Sequence, residues 1–265
     1  SIVAVVLICV FLFANGVPAM QKIGFANFLT GTRWKPGNDL YGIFPMIIAS
    51  IYVTGGAILI GVPIALFTSV FMARYCPQKI YRPLKSGIEL MAGVPSIVYG
   101  FFGLVLMVPL IRNTFGGTGT SWLAASLLLA IMILPTIIGP TESALRSVPE
   151  SYYEGSLALG ATKERSIFMV MLPAAKSGII TAVVLGTGRA IGEAMAITLV
   201  SGSSVNFPLP FNSVRFLTTA IVAEMGYASG LHREVLFTIG LVLFAFIMII
   251  NISLNGILKK GEKTK

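Results

Sequence analysis

The chain has 265 residues, 55% of them hydrophobic and 11% charged, with a mean hydropathy of +0.88. Soluble domains carry roughly 25% charged residues, so a soluble fold would have no surface for this sequence, and an integral membrane protein is expected. The net charge of +9 calls for no nucleic-acid partner, because most of it reads as a topology signal.

Six segments have the roughly 20 apolar residues that a membrane-spanning helix needs. They cover about 1–15, 44–73, 84–110, 121–145, 177–200 and 235–258. The expected fold is therefore all-α and polytopic, a single transmembrane domain over residues 1–265. Strand-length alternation is absent, which argues against a β-barrel. Ser1 is not Met and no basic residue precedes the first apolar run, so native residues are expected before it. The stretch FANGVPA (13–19) imitates a signal-peptide cleavage site, but six spans fit the charge pattern better. Cys9 and Cys76 are expected to stay unbridged, Cys76 facing a reducing cytoplasm.

Glu89 and Glu142 fall near span ends and read as interfacial residues or helix-end partners. Tyr99, Phe101 and Phe102 read as packing or an interfacial belt. The connection 146–176, RSVPESYYEGSLALGATKERSIFMVMLPAAK, is the longest on its side. Ser147 and Glu150 have capping-box spacing, predicting a short helix from about Val148 to Leu159. Gly160 suits a left-handed helix end, and Thr162 can cap a second helix carrying Ile167 to Leu172. Two surface helices joined at a glycine form either a plain connector or a docking surface for a partner.

The fifth span carries two charges, Arg189 and Glu193. Counted from Ser177, Arg189 lies about 18 Å along the span, close to mid-bilayer. An isolated charge there costs about 2.5–3.5 kcal/mol. Residues four apart share a helical face, and this face collects Ala182, Gly186, Gly192, Ala196 and Val200. A buried ion pair fixing helix register is one reading, with the small residues serving close helix packing. An anion path is the other, since the guanidinium fork suits oxyanions and Glu193 can hold it at rest. The connection 201–233 is long; VRFLTTAIVAEMG within it predicts a short surface helix, and His232 reads as an ordinary exposed residue.

Orientation follows from basic residues. Arg74, Lys79, Arg82, Lys85, Arg146, Lys163, Arg165, Lys176, Lys259, Lys260, Lys263 and Lys265 fall on one side, twelve in all. Lys22, Arg33, Lys35, Arg112, Arg215 and Arg233, six in all, fall on the other. The twelve belong in the cytoplasm, which places both termini there and makes 201–233 an external loop. With one histidine and no HExxH, CxxC or GxxxxGK[ST] motif, the chain offers no catalytic residues, no metal ligands and no ATPase of its own.

EGSLALG followed by VMLP resembles the EAA loop of ABC importer permeases. Glu154, Gly155, Ser156, Gly160, Leu172 and Pro173 stand at the matching positions, with Gly155, Ser156 and Val170 as mild departures. IELMAGVPSIVYGFFGL (88–104), GRAIGEAMAITLVSG (188–202), FLTTAIVAEMG (216–226) and WKPGNDLYGIFPMI (34–47) look like the phosphate-importer branch, specifically the C-type permeases of Pst systems. The resemblance covers nearly the whole chain. It implies a type-1 ABC transmembrane domain, with 146–176 as the coupling loop and Arg189 and Glu193 on the phosphate path. It further implies a homologous second permease, two copies of a cytoplasmic ATPase that binds ATP and Mg, an extracytoplasmic phosphate-binding protein, and a bacterial cell membrane location. No cofactor is expected in this chain. Permeases for sulfate, molybdate or phosphonate, and an intramembrane enzyme acting on lipid phosphates, are the alternatives.

Overall fold

The computed structural model describes residues 2–262. Ser1, Lys263 and Lys265 lie outside the described residues, as do the side chains of Lys259 and Lys260 counted above. In chain order come α1 (Ile2–Ile23), α2 (Phe25–Thr30), β1 (Trp34–Lys35), β2 (Leu40–Tyr41), α3 (Phe44–Val70), α4 (Gln78–Gly93), α5 (Ser96–Phe102), α6 (Val108–Phe115) and α7 (Trp122–Arg146). They are followed by α8 (Glu150–Ala158), α9 (Lys163–Ser166), α10 (Leu172–Ala174), α11 (Lys176–Gly192), α12 (Met195–Ser201), α13 (Leu217–Glu224) and α14 (Gly230–Glu262). Three π-helical turns, Phe71–Tyr75, Gly103–Met107 and Ile167–Met171, extend α3, join α5 to α6 and join α9 to α10.

The all-α polytopic architecture is what the hydropathy predicts. Among the described residues five helices are long and apolar enough to cross a membrane: Val3–Ile23, Phe44–Tyr75, Ser96–Phe115, Trp122–Arg146 and Gly230–Ser253. A sixth crossing arises if Lys163–Ala174 and Lys176–Gly192, bent by 71°, form one broken span. Three boundaries differ from expectation. The first helix continues to Ile23, well past 15. The third span begins only at Ser96, because Val94 precedes Pro95 and is driven to extended backbone (φ −68°, ψ 127°). Residues before it form α4, a separate helix with no buried residue. The fifth span is not one helix to 200. It stops at Gly192, Ala194 leaves helical geometry (φ −131°, ψ −50°), and α12 restarts at Met195.

The chain divides into two compact units, one of Ser1–Gly56, Pro95–Leu128 and Ile191–Ile250, the other of Ala57–Val94, Leu129–Ala190 and Asn251–Lys265. In the first unit WKPGNDLY closes a hairpin that sequence periodicity missed. A 3₁₀ turn at Pro36–Asn38 and left-handed Asp39 (φ 53°) reverse the chain. Trp34 pairs with Tyr41, their rings 5.6 Å apart edge to face. Both pack into a core with Phe28, Met46, Leu217 and Leu236. Helix α12 lies on α5 without side-chain spacers: a Cβ on Gly100 would stand 2.8 Å from the Ala196 backbone. The short helix predicted in the 201–233 connection forms as α13, but Leu217, Thr218, Thr219, Ala220 and Glu224 are buried, so it packs into the core and is not the surface helix expected. Cys9 and Cys76 are free.

In the second unit α11 packs on α7 through a seam of small residues. A Cβ on Gly178 would fall 2.4 Å from Ala144 Cβ, and one on Gly186 would fall 2.6 Å from Ile137 Cγ1. Ala182 between them is fully buried. Such seams let membrane helices approach closely enough for dispersion to hold them. Ala182 and Gly186, part of the small-residue strip noted around Arg189, are therefore packing residues. A second core gathers Val70, Leu145, Val148, Ile167 and Met171 under the α8–α10 connection.

Candidate functional site

Arg189 stands on the last turn of α11, about 20 Å from Lys176 at 1.5 Å per residue. Its side chain is half-buried, and Nη1 donates to Thr136 Oγ1 at 3.3 Å. No carboxylate pairs with it among the described residues of its unit. A guanidinium has five N–H donors, so most of the fork has no acceptor among the described residues of its unit.

Glu193 does not share the helical face expected of it, because the helix ends one residue earlier. Glycines at 188 and 192 carry the weakest helix propensity short of proline. The Glu193 carboxylate turns to the next helix instead, where Oε1 accepts from the backbone N–H groups of Ala194 and Ala196, each at 3.1 Å. Its carbonyl accepts from Thr218 Oγ1 at 2.9 Å, tying the break to α13. Arg189 and Glu193 thus each hold partners within their own unit.

The residues expected to form the coupling loop all lie in the second unit. Helix α8 ends in a Schellman motif: Ala161 N donates to Ser156 O at 3.1 Å and Gly160 N to Leu157 O at 2.9 Å. Gly160 takes φ +85°, the left-handed residue the sequence called for. Thr162 caps α9, its Oγ1 accepting from Arg165 N at 3.3 Å. Ser156 ties the two helices, accepting from Ser166 Oγ at 2.9 Å. Leu172 is half-buried beside the second core, while Glu154, Gly155, Gly160 and Pro173 are exposed. So is Leu159 at the tip, 91% accessible.

The expected capping box does not form. Val148 precedes Pro149, which disfavours helical backbone, so α8 starts only at Glu150 with Pro149 as its cap. Ser147 Oγ donates back to Ala144 O at 2.8 Å, and Glu150 is taken by Arg74.

Two buried carboxylates organise the polar chemistry of the units; the sequence suggested a helix-end partner at Glu142 and gave no sign of Glu224. Glu142 is 2% exposed and accepts from Tyr81 Oη at 2.7 Å, Lys85 Nζ at 2.9 Å and Arg146 Nε at 2.8 Å. Arg146 continues to Met72 O at 3.0 Å. This cluster staples α4 to α7. The hydrogen bond to Glu142 raises the Lys85 pKa above that of an ordinary lysine, so the ammonium persists at physiological pH. In the first unit Glu224, 4% exposed, accepts from Trp34 Nε1 at 3.1 Å to each oxygen, from Arg215, and pairs with His232 Nε2 at 2.7 Å. His232 is therefore a largely buried partner and not the exposed residue expected. The four residues are spread along the chain at 34, 215, 224 and 232, so no local spacing announces them.

The profile of the binding-protein-dependent transport system inner membrane component family matches residues 61–262. The probable ABC transporter permease protein YqgH of Bacillus subtilis is 40% identical over 261 residues, covering 94% of this chain and 84% of that protein. The phosphate transport system permease protein PstC of Haemophilus influenzae is 32% identical, covering 93% and 85%. The fold is that of a solved chain of the inward-facing MetNI methionine ABC transporter, with a TM-score of 0.68 at 22% identity over 86% of this chain and 99% of that one. A polytopic helical membrane fold of this kind, with the family profile spanning most of the sequence, places the chain among the binding-protein-dependent transport system inner membrane components, as an ABC transporter permease.

Proposed function

We propose that this chain is the C-type permease subunit of an ATP-driven phosphate importer, with Arg189 as an oxyanion ligand and Glu193 as the second charged residue of the path. The carrying observation is the half-buried guanidinium of Arg189, which has one hydroxyl partner and no carboxylate in its unit. A purely structural arginine at that depth would be matched by a carboxylate or several carbonyls. Free donors in a planar fork fit the oxygens of phosphate. Relatives named as phosphate permeases, such as that of Haemophilus influenzae, favour phosphate over sulfate, molybdate or phosphonate. As a transport subunit the chain is not an enzyme, and the lipid-phosphate reading falls with that membership.

Residues 1–265 act as one type-1 transmembrane domain. The twelve-to-six split of basic residues supports both termini, α4 and the α8–α9 elbow on the cytoplasmic side. Glu154 to Gly160, with Leu172 and Pro173 behind them, seat the elbow in a groove of a cytoplasmic ATPase, present in two copies, which binds the ATP and Mg this chain does not. A second homologous permease completes the path, and an extracytoplasmic phosphate-binding protein loads it.

The test compares Arg189→Lys and Arg189→Gln in the assembled transporter, in liposomes loaded with ATP. Arg189→Lys should lower phosphate uptake at wild-type complex yield, because an ammonium lacks the bidentate fork, and Arg189→Gln should lower it further. Uptake at the wild-type rate by Arg189→Gln would sink the reading.

A further inference from the structure

The first unit carries a concentration of cations of its own. Arg33, Lys35 and Arg215 line a recess of about 440 Å³ together with Thr32, Ser203 and the edge of Glu224. Three positive charges against one carboxylate leave a net +2 on the lining. Arg33 and Lys35 are exposed and take part in no ion pair among the described residues.

Their placement follows from the hairpin. Side chains alternate along a strand, so burying Trp34 in the core sends its neighbours Arg33 and Lys35 the other way. The floor is fixed by Glu224, which holds the Trp34 indole at 3.1 Å, Arg215, and His232 at 2.7 Å. The facing wall is fixed as well. Ser213 Oγ accepts from Ser203 N at 3.1 Å and Ser204 N at 3.3 Å, and Val214 N donates to Ser201 O at 2.9 Å. Gly202 (φ +83°) lets this loop close on Ser213, since a Cβ there would lie 1.9 Å from Ser213 Oγ. The cations and hydroxyls therefore converge on a preformed hollow.

We propose that this recess binds a tetrahedral inorganic oxyanion, phosphate in a phosphate importer, as a waypoint on the extracytoplasmic face before the Arg189 path. The inference rests on the orientation and substrate class proposed above. Arg33 and Lys35 supply charge-assisted donors, Thr32 and Ser203 supply hydroxyls, and Glu224 keeps Arg215 in place without occupying the other cations. Concave hydroxyl-bearing walls favour a small oxyanion over a flat acidic protein surface, which would need no hollow of this size.

Trp34 lines the recess and serves as the built-in probe. The assembled transporter is titrated with inorganic phosphate while tryptophan emission is followed, with chloride at matched ionic strength as control. Wild type should give a saturable change that chloride does not reproduce. Arg33→Gln/Lys35→Gln, both exposed, should weaken it about tenfold or more, as the loss of charge-assisted hydrogen bonds implies. A flat wild-type titration, or a double variant that titrates like wild type, overturns the proposal. So does a flat titration combined with loss of binding-protein association in the double variant, which would make the recess a carboxylate-docking surface. Arg189→Gln should keep the emission response while losing uptake. If it keeps uptake, the transport reading fails while the recess still stands or falls by its own titration.

Discussion

Arg74, at the end of the second span, reaches both carboxylate oxygens of Glu150, the first residue of α8, at 3.1 and 2.8 Å. The same guanidinium donates to Leu145 O at 3.5 Å and lies over the Tyr153 ring, 5.6 Å from its centroid. Arg74 is largely buried whereas Glu150 is more than half exposed. One cation therefore joins the end of the second span to the end of α7 and to Glu150 and Tyr153 of α8. If α8 is the coupling helix proposed above, a push on it reaches the second span through Arg74.

Glu150→Gln should change stability little, because exposed ion pairs contribute about 0.2–1 kcal/mol. The expected defect is mechanical: fewer phosphates imported per ATP hydrolysed at near-normal complex yield. Uptake and ATP hydrolysis measured together in liposomes check this, and an unchanged ratio would remove Arg74 and Glu150 from the coupling route.

Gly160 closes the Schellman motif at φ +85° with open space where a side chain would go. The obstacle to substitution is thus backbone conformation and not crowding. Gly160→Val should cost roughly 1–3 kcal/mol locally, distort the end of α8 and abolish ATPase co-purification with membrane insertion unaffected. Gly160→Asn, which tolerates left-handed backbone, should restore much of the association. Equal co-purification by Gly160→Val and wild type would show that the elbow does not need this turn.

The spans, the elbow with its glycine and Thr162 cap, and α13 are legible because each depends on residues near one another in sequence. Hydropathy cannot see the break at Gly192, since Glu193 and Ala194 sit in a run whose average remains apolar. The failed capping box at Ser147 shows the limit of spacing alone: Pro149 redirects the backbone, and Arg74, 76 residues away, claims Glu150. The Glu224 cluster is less legible still. Trp34 lies 190 residues before its acceptor, and a turn of Pro36, Gly37 and Asn38 was the only local sign that the chain there reverses.

Glu142→Ala should be among the most damaging changes in the second unit. It leaves Lys85, Arg146 and the Tyr81 hydroxyl without their shared acceptor, but the two cations are 31% and 48% exposed and can be rehydrated, so the cost should fall below the roughly 3–5 kcal/mol of breaking a fully buried pair. Lys85→Met, which leaves Arg146 and Tyr81 on the carboxylate, should cost clearly less. Thermal unfolding of the purified complex ranks the two, and equal midpoints would mean that Glu142 does not hold α4 to α7.

Glu193 separates a cap from a path residue. Its carboxylate accepts two backbone N–H groups at the start of α12, each at 3.1 Å. Removing such a cap costs about 0.5–2 kcal/mol. Glu193→Ala should therefore lower complex yield and uptake together. Glu193→Gln retains a side-chain carbonyl able to accept the same hydrogens, so yield should hold. Any loss of uptake then reports the missing charge of Glu193 itself. On the path reading uptake falls in Glu193→Gln, and Arg189→Gln/Glu193→Gln does not recover it, because neutralising both charges restores no oxyanion ligand. A register-fixing ion pair makes the opposite forecast, since an uncharged replacement for a buried pair is often neutral. Uptake and yield measured for Glu193→Ala, Glu193→Gln and the double variant decide the matter. Wild-type uptake by Glu193→Gln would reduce Glu193 to a helix cap, and recovery in the double variant would remove Arg189 from the path as well.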